Sequence, residues 1–237
     1  MTFQPSQQDP AYRAYTPAAA VHRVPVPVQP AAFVRPLDYW LNSDAARMAP
    51  AEGPSALRDM AWAYGQWQGL AGACTGLGLT LLGGGLLSLA MLDGFPALWL
   101  CLLVAGLALL STGVLVRRLK LPKIAQLKQP QLSRAPGTLA SGVGLAAFMS
   151  AALGAPLALA LAGWLEQGPG PAFSFFAVLL LVVLGTVSAF AVPSYFAQHA
   201  RRDFRARIDN KQVLRQELEA LSCSWRDPSG NRSFGPL

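Results

Sequence analysis

The 237-residue chain is 53% hydrophobic and only 13% charged, with a formal net charge of +7, whereas an ordinary soluble domain is about 25% charged. A deficit of that size, combined with long uncharged runs, excludes an ordinary water-soluble fold and points to a bilayer. The basic excess lies beside those runs with no groove-reading module around it, which argues for a lipid surface and against nucleic acid.

Residues 1–36 are rich in Pro, Gln and Ala, as in Arg23-Val24-Pro25-Val26-Pro27-Val28-Gln29-Pro30, and read as a disordered or polyproline II tail. The Pro27–Pro30 spacing fits a partner ligand or a plain solvated linker. No apolar signal segment precedes the first long run near Gly69, so that run is expected to act as the first membrane signal. Residues 37–68 read as short cytoplasmic or interfacial helices. Ser55 follows Pro54 and is placed to cap a helix through Ala56-Leu57-Arg58-Asp59. Trp40, Trp62, Tyr64 and Trp67 suit either a membrane–water interface or packing against the helices.

Four runs without Asp, Glu, Lys, Arg or His follow, at about Gly69–Leu92, Phe95–Val116, Leu139–Leu165 and Phe173–Ala197. Each exceeds the ~20 residues that cross a hydrocarbon core, and in lipid only a helix satisfies such a backbone. Asp93-Gly94 and Gln167-Gly168-Pro169-Gly170-Pro171 mark tight turns without Lys or Arg. The expected fold is therefore all-α, an integral membrane four-helix bundle of two transmembrane hairpins. The disordered tail precedes it and a basic cytoplasmic tail with a helix, residues 198–237, follows.

Arg117, Arg118, Lys120, Lys123, Lys128 and Arg134 fill the middle connection without an acid, and Arg201, Arg202, Arg205, Arg207, Lys211 and Arg215 follow the fourth run. The positive-inside rule then puts that connection and both termini in the cytoplasm. Ile occurs only at Ile124 and Ile208, and Arg outnumbers Lys. That composition suits a bacterium, hence a plasma (inner) membrane. Each half ends in an arginine pair after a small-residue helix, a turn and a Leu/Val-rich helix, which fits a parallel duplication or convergence on a common hairpin pattern.

Gly65, Gly69, Gly72, Gly76 and Gly83 recur at heptad-like steps along the first long helix, and the third repeats the idea with Gly144, Ala147, Ala151, Gly154 and Ala158. Small residues let membrane helices approach closely, so both series are expected to be helix-packing interfaces, within the chain or between copies. Gly83-Gly84-Gly85 lacks the Lys-Ser/Thr of a phosphate loop and reads as a flexible or kinked point; Pro156 and Pro193 read as kinks.

Catalysis and coupled transport have little to work with. No run holds an ionisable residue that would mark a proton relay or ion path, and His22 and His199 lie outside the runs. Thr75, Thr80, Ser150, Thr186 and Ser188 are expected to hydrogen-bond within or between helices. Cys74 and Cys101 lie ~30 and ~10 Å from the first turn on a helical rise, too far apart for a disulfide, and with Cys223 they have no metal-binding spacing. No cofactor is expected. From Gln198 to Leu221 a helix with the stripe Phe204, Ile208, Leu214, Leu218 and Leu221 is expected, with Asp203–Arg207 and Arg205–Asp209 four apart. It fits a membrane-surface helix, a short coiled coil or a solvated extension.

The expected function is a non-enzymatic scaffold, assembly or accessory subunit of a membrane complex, partnered by the lipid bilayer and by other membrane subunits or a second copy. The alternative is a component of a transporter or channel for a neutral or apolar substrate. A third reading is a membrane enzyme with its active residues in the cytoplasmic segments.

Overall fold

The computed structural model describes residues 35–42, 55–91, 96–126, 138–166, 169–225 and 233–237. The expected tail up to residue 34, the turn residues 92–95 and 167–168, and the loop residues 127–137 with Lys128 and Arg134 lie outside that set.

Helices make up nearly all of it. They are α1 (Leu37–Leu41), α2 (Ala56–Met91), α3 (Pro96–Leu119) with a 3-10 segment after it (Leu121–Gln126), and α4 (Leu139–Glu166). Then come α5 (Pro169–Thr186), a π-helical turn (Val187–Ala191), α6 (Val192–Asn210) and α7 (Gln212–Ser224). Four stretches are long and apolar enough to cross a membrane: α2, α3, α4, and the continuous run from α5 into α6.

Two helices extend well past their uncharged runs. α2 has 36 residues, roughly 54 Å at the helical rise. Residues 56–68, expected as short separate helices, are its first turns. Ala, Leu, Arg, Met and Gln there are good helix formers, and Gly65 alone does not break the helix. Gly83-Gly84-Gly85 also lies inside unbroken helix, and α4 continues through Pro156.

The apolar helices form a row. α2 packs against α3 on one side and against α5–α6 on another, and α4 packs on α5–α6. The spatial order is therefore α3, α2, α5–α6, α4, and the two outer helices share no packed interface among the described residues. The four long helices thus lie as a row with α3 and α4 on its outer sides. Large apolar side chains project from it: Leu79 is 59% exposed, Leu107 56%, Leu180 58% and Leu159 87%.

One end of the row has a different character. Leu37, Leu57, Met60, Tyr64, Leu121, Phe204, Ile208, Leu214, Leu218, Phe234 and Leu237 form a buried core, with Trp40, Trp67, Leu221 and Trp225 packed against it. The apolar stripe of the tail is the centre of this core, so the tail is not a solvated extension. The backbone turns at Lys211 (φ −125, ψ 96), which ends one helix and lets α7 bring Leu214 and Leu218 into the same core as Phe204. The aromatic residues Trp40, Tyr64 and Trp67 belong to this packing.

Residues 233–237 close the core. Ala56 N–H donates to Ser233 O at 3.0 Å and Leu57 N–H to Phe234 O at 3.0 Å, which satisfies donors that a helix start otherwise leaves orphaned. The Ser55 hydroxyl faces Phe234 O at 3.2 Å and Pro236 O at 2.9 Å. Ser55 therefore anchors the distant segment rather than capping its own helix through its side chain. Leu237 N–H donates to Trp40 O at 3.2 Å. A Cβ at Gly235 would fall 2.5 Å from the Trp40 ring, so the close approach needs glycine there.

Candidate functional site: packing seams and a basic end

Each glycine of the α2 series lies against the last long helix. A Cβ at Gly65 would sit 2.5 Å from Ala200 Cβ, at Gly69 2.9 Å from Pro193 Cα, at Gly72 2.7 Å from Val192 Cγ1, at Gly76 2.7 Å from Ser188 Cβ and at Gly83 3.0 Å from Leu181 Cδ2. Three of these neighbours sit in or beside the π turn. Val192 N–H donates to Val187 O, five residues back, and Pro193 has no N–H to continue an α ladder. The π turn absorbs that loss, and the glycines on α2 give its bulging backbone room.

A second seam runs along another face of α2. A Cβ at Gly78 would meet Gly106 O at 2.8 Å and one at Gly85 would meet Leu103 Cγ at 2.9 Å. From the other side, Gly106 faces Leu82 at 2.8 Å, and Gly113 faces Thr75 Oγ1 at 2.8 Å and Ala71 O at 3.0 Å. Ala71, Thr75, Gly78, Leu82 and Gly85 thus meet Leu103, Gly106, Leu110 and Gly113, and the pairing order makes α2 and α3 antiparallel. Sequence reasoning missed this seam, although its steps alternate four and three on both helices. Gly78 and Gly85 fell outside the single series assigned to α2.

On α4 the packing face differs from the expected one. Gly142 lies against Ser194 and Phe190 O, Ala146 is 2% exposed, and a Cβ at Gly154 would meet Leu179 Cδ1 at 3.1 Å. Of the expected series only Gly154 packs within the chain. Ala147, Ala151 and Ala158 are exposed, and a Cβ at Gly144 would meet nothing within 4 Å among the described residues.

The hydroxyls are satisfied locally. Thr75 donates to Ala71 O at 2.7 Å, Thr80 to Gly76 O at 2.9 Å and Ser188 to Leu184 O at 2.7 Å, the usual bond to the preceding turn. Ser150 and Thr186 bridge α4 and α5 at 2.5 Å. A crevice of about 290 Å³ opens beside Gly84, between Leu102 of α3 and Val178, Leu181 and Val182 of α5, with Thr80 and Ser88 as its hydroxyl-bearing members.

The basic residues gather around the buried core. Arg117, Arg118, Lys120, Lys123, Arg201 and Arg202 are exposed, and Arg205 and Arg207 half-buried. Lys120 Nζ sits 5.6 Å over the Trp67 ring, and the Arg207 guanidinium 5.1 Å over the Tyr64 ring. Arg207 reaches Tyr64 Oη at 3.4 Å and Leu121 O at 3.5 Å, so it leaves Asp203, which pairs with Arg202 at 3.4 Å. Arg215 and Asp38 join α7 to α1 at 2.6 Å. In the part of α2 that precedes its uncharged run, burial, and secondly the charge of Arg201, hold the Arg58 guanidinium below its ordinary pKa.

The arrangement offers close helix contact and cationic surface. Among the described residues no three His, Cys, Asp or Glu side chains gather to hold a metal, and Cys74, Cys101 and Cys223 are free thiols. The His199 ring nitrogen Nδ1 is 2.9 Å from Tyr195 O. Comparison with protein-family models, curated proteins and solved structures gave no match for this chain.

Proposed function

We propose that this chain is a multi-pass membrane protein whose role is structural, a scaffold or assembly subunit that holds membrane partners or a second copy through the outer faces of its helix row. The basic end, with its buried core, lies on the cytoplasmic side in this reading, because it carries the arginines and lysines. The observation that carries the reading is the open row. α3 and α4 each cover one face against a neighbour and leave the rest of a long apolar surface free, and α4 presents Gly144, Ala147, Ala151 and Ala158 outward. Such a face allows a further helix to come as close as α2 comes to α6.

Crosslinking and co-purification from native membranes test this reading. A defined membrane partner or a homo-oligomer is expected, and Gly144→Leu with Ala151→Leu should disrupt it while leaving the isolated chain folded. Recovery of a lone monomer, with no crosslink through α4, overturns it. Orientation is tested separately: Cys223 should react with an impermeant thiol reagent only in opened cells, and a cysteine at Gly168 in intact ones.

The crevice at Gly84 favours a second reading, a subunit that passes or holds a small apolar molecule entering sideways from the bilayer. Purified protein in liposomes that moves such a solute, and loses that movement on Gly84→Leu without loss of folding, would displace the scaffold reading.

A further inference from the structure

The basic end concentrates two cations at one joint. Tyr64 and Trp67 are three residues apart on α2 and share a face. Lys120 lies over Trp67 and Arg207 over Tyr64. Arg207 also donates to Leu121 O, the residue next to Lys120, so the cation just past α3 and the cation of α6 meet over one stretch of α2. Gln68 donates to Tyr64 Oη at 2.6 Å and adds an amide beside them. Arg117 is three residues before Lys120, and both are exposed.

The height of this joint matters as much as its charge. Trp67 and Gln68 immediately precede Gly69, where the uncharged run of α2 begins, and Lys120 follows the end of the α3 run by one helical turn. In a bilayer, that is the level of the lipid phosphates, and aromatic rings prefer the same level. Both arginine contacts of Arg207, at 3.4 and 3.5 Å, are long, and a guanidinium has five N–H donors to share. Of the nearby acids, Asp203 is bound to Arg202, and Asp209 and Glu217 line a neighbouring cleft together with Arg207 and Lys211.

We infer that Lys120 and Arg207, held over Trp67 and Tyr64 with Gln68 and Arg117 alongside, form a headgroup site for an anionic phospholipid. The ligand chemistry is a phosphodiester held by charge-assisted hydrogen bonds, with its acyl chains along the exposed apolar helices above. The site rests on the membrane reading given above.

The test uses the full chain in nanodiscs containing phosphatidylcholine and phosphatidylglycerol, with native mass spectrometry of the lipids retained on release. The wild-type chain is expected to retain phosphatidylglycerol preferentially. Lys120→Gln should lower that preference about fivefold, the effect of one basic residue near an anionic surface, and Lys120→Gln with Arg207→Gln should lower it further. Arg207→Lys keeps the charge without the planar fork and separates lost binding from lost folding. Arg35→Gln, whose guanidinium lies over the Tyr39 and Trp40 rings rather than at the joint, should change nothing. Equal retention of both lipids by the inserted wild-type chain overturns the site, as does an equal loss from Arg35→Gln. Displacement of phosphatidylglycerol by millimolar inorganic phosphate also overturns the lipid assignment. A chain that enters no bilayer sinks the membrane reading itself, and that result is seen before any lipid is weighed.

Discussion

The two regions of this protein bury opposite kinds of residue. At the polar end the largest side chains are inside: Leu57, Phe204, Ile208 and Leu218 are each 0% exposed. In the helix row the glycines of α2 face neighbouring helices while leucines such as Leu79 and Leu107 face outward. Water drives the first arrangement, because removing apolar area from it is favourable. In the membrane reading an apolar surround removes that drive from the row, and helices there associate through backbone proximity and van der Waals contact. One helix, α2, serves both regimes: its first turns enter the core with Leu57, Met60 and Tyr64, and its later turns pack through glycine.

The sharpest way to break that contrast is Phe204→Ala. The side chain is fully buried and tilts against Tyr64 at a centroid distance of 5.7 Å. Its loss should cost about 3–5 kcal/mol. Hydrogen exchange is expected to rise over residues 56–64 and 212–221 while the central turns of α2 stay protected. Uniform loss of protection would mean that the two regions are one cooperative unit.

Gly76→Ile comes next. The new side chain would run into Ser188, so α2 and the π turn must separate, at about 1–3 kcal/mol by analogy with overpacked cores. Leu107→Ile, on an exposed position of α3, should leave thermal stability in detergent or nanodiscs unchanged. Equal effects from the two would remove the claim that small residues hold the row.

How far the sequence leads follows the same division. The four uncharged runs are legible because length and the absence of charge suffice to mark them. The α2 series Gly65, Gly69, Gly72, Gly76 and Gly83 could be placed on a single face because its members recur at heptad-like steps, although Ala71 and Gly78 of the second seam lie between them. On α4 spacing was a poor guide, since Gly142, Ala146 and Gly154 on the packed side alternate with Gly144, Ala147, Ala151 and Ala158 on the open one. When both faces are small, periodicity has no direction. The buried core at the basic end was illegible for another reason. Leu37, Leu57, Leu121, Phe204, Leu218 and Phe234 come from six separate stretches, and no local pattern announces that they meet.

Ser55→Ala sharpens the comparison on a smaller scale. Its hydroxyl bonds carbonyls of the 233–237 segment inside the core, so removal should cost about 1 kcal/mol. Faster proteolysis or exchange at residues 233–237, with the helix row unaffected, is the expected result. Unchanged protection there would show that the backbone bonds of Ala56 and Leu57 hold the segment unaided.

Thr186→Val should have the smallest effect. The Ser150–Thr186 bond joins two helices of the row, and such bonds average about 0.6 kcal/mol in membrane proteins. A melting shift as large as that of Gly76→Ile would give the hydroxyl bridge between α4 and α5 a part in holding the row equal to that of the glycine contacts between α2 and the π turn.

The closing segment has a consequence for how the molecule is made. Ser55 bonds Pro236 across 181 positions of sequence, and loops of that length close late. The antiparallel pairs α2–α3 and α4–α5 can assemble from local contacts as each emerges, whereas the buried core at the basic end waits for residues 233–237 to arrive. A chain interrupted before residue 233 would carry paired helices but leave Ala56 and Leu57 N–H without acceptors and the surface around Phe204 and Leu57 uncovered. Cellular proteases that recognise exposed apolar surface would then distinguish molecules with residues 233–237 docked from molecules without them by the state of this one contact.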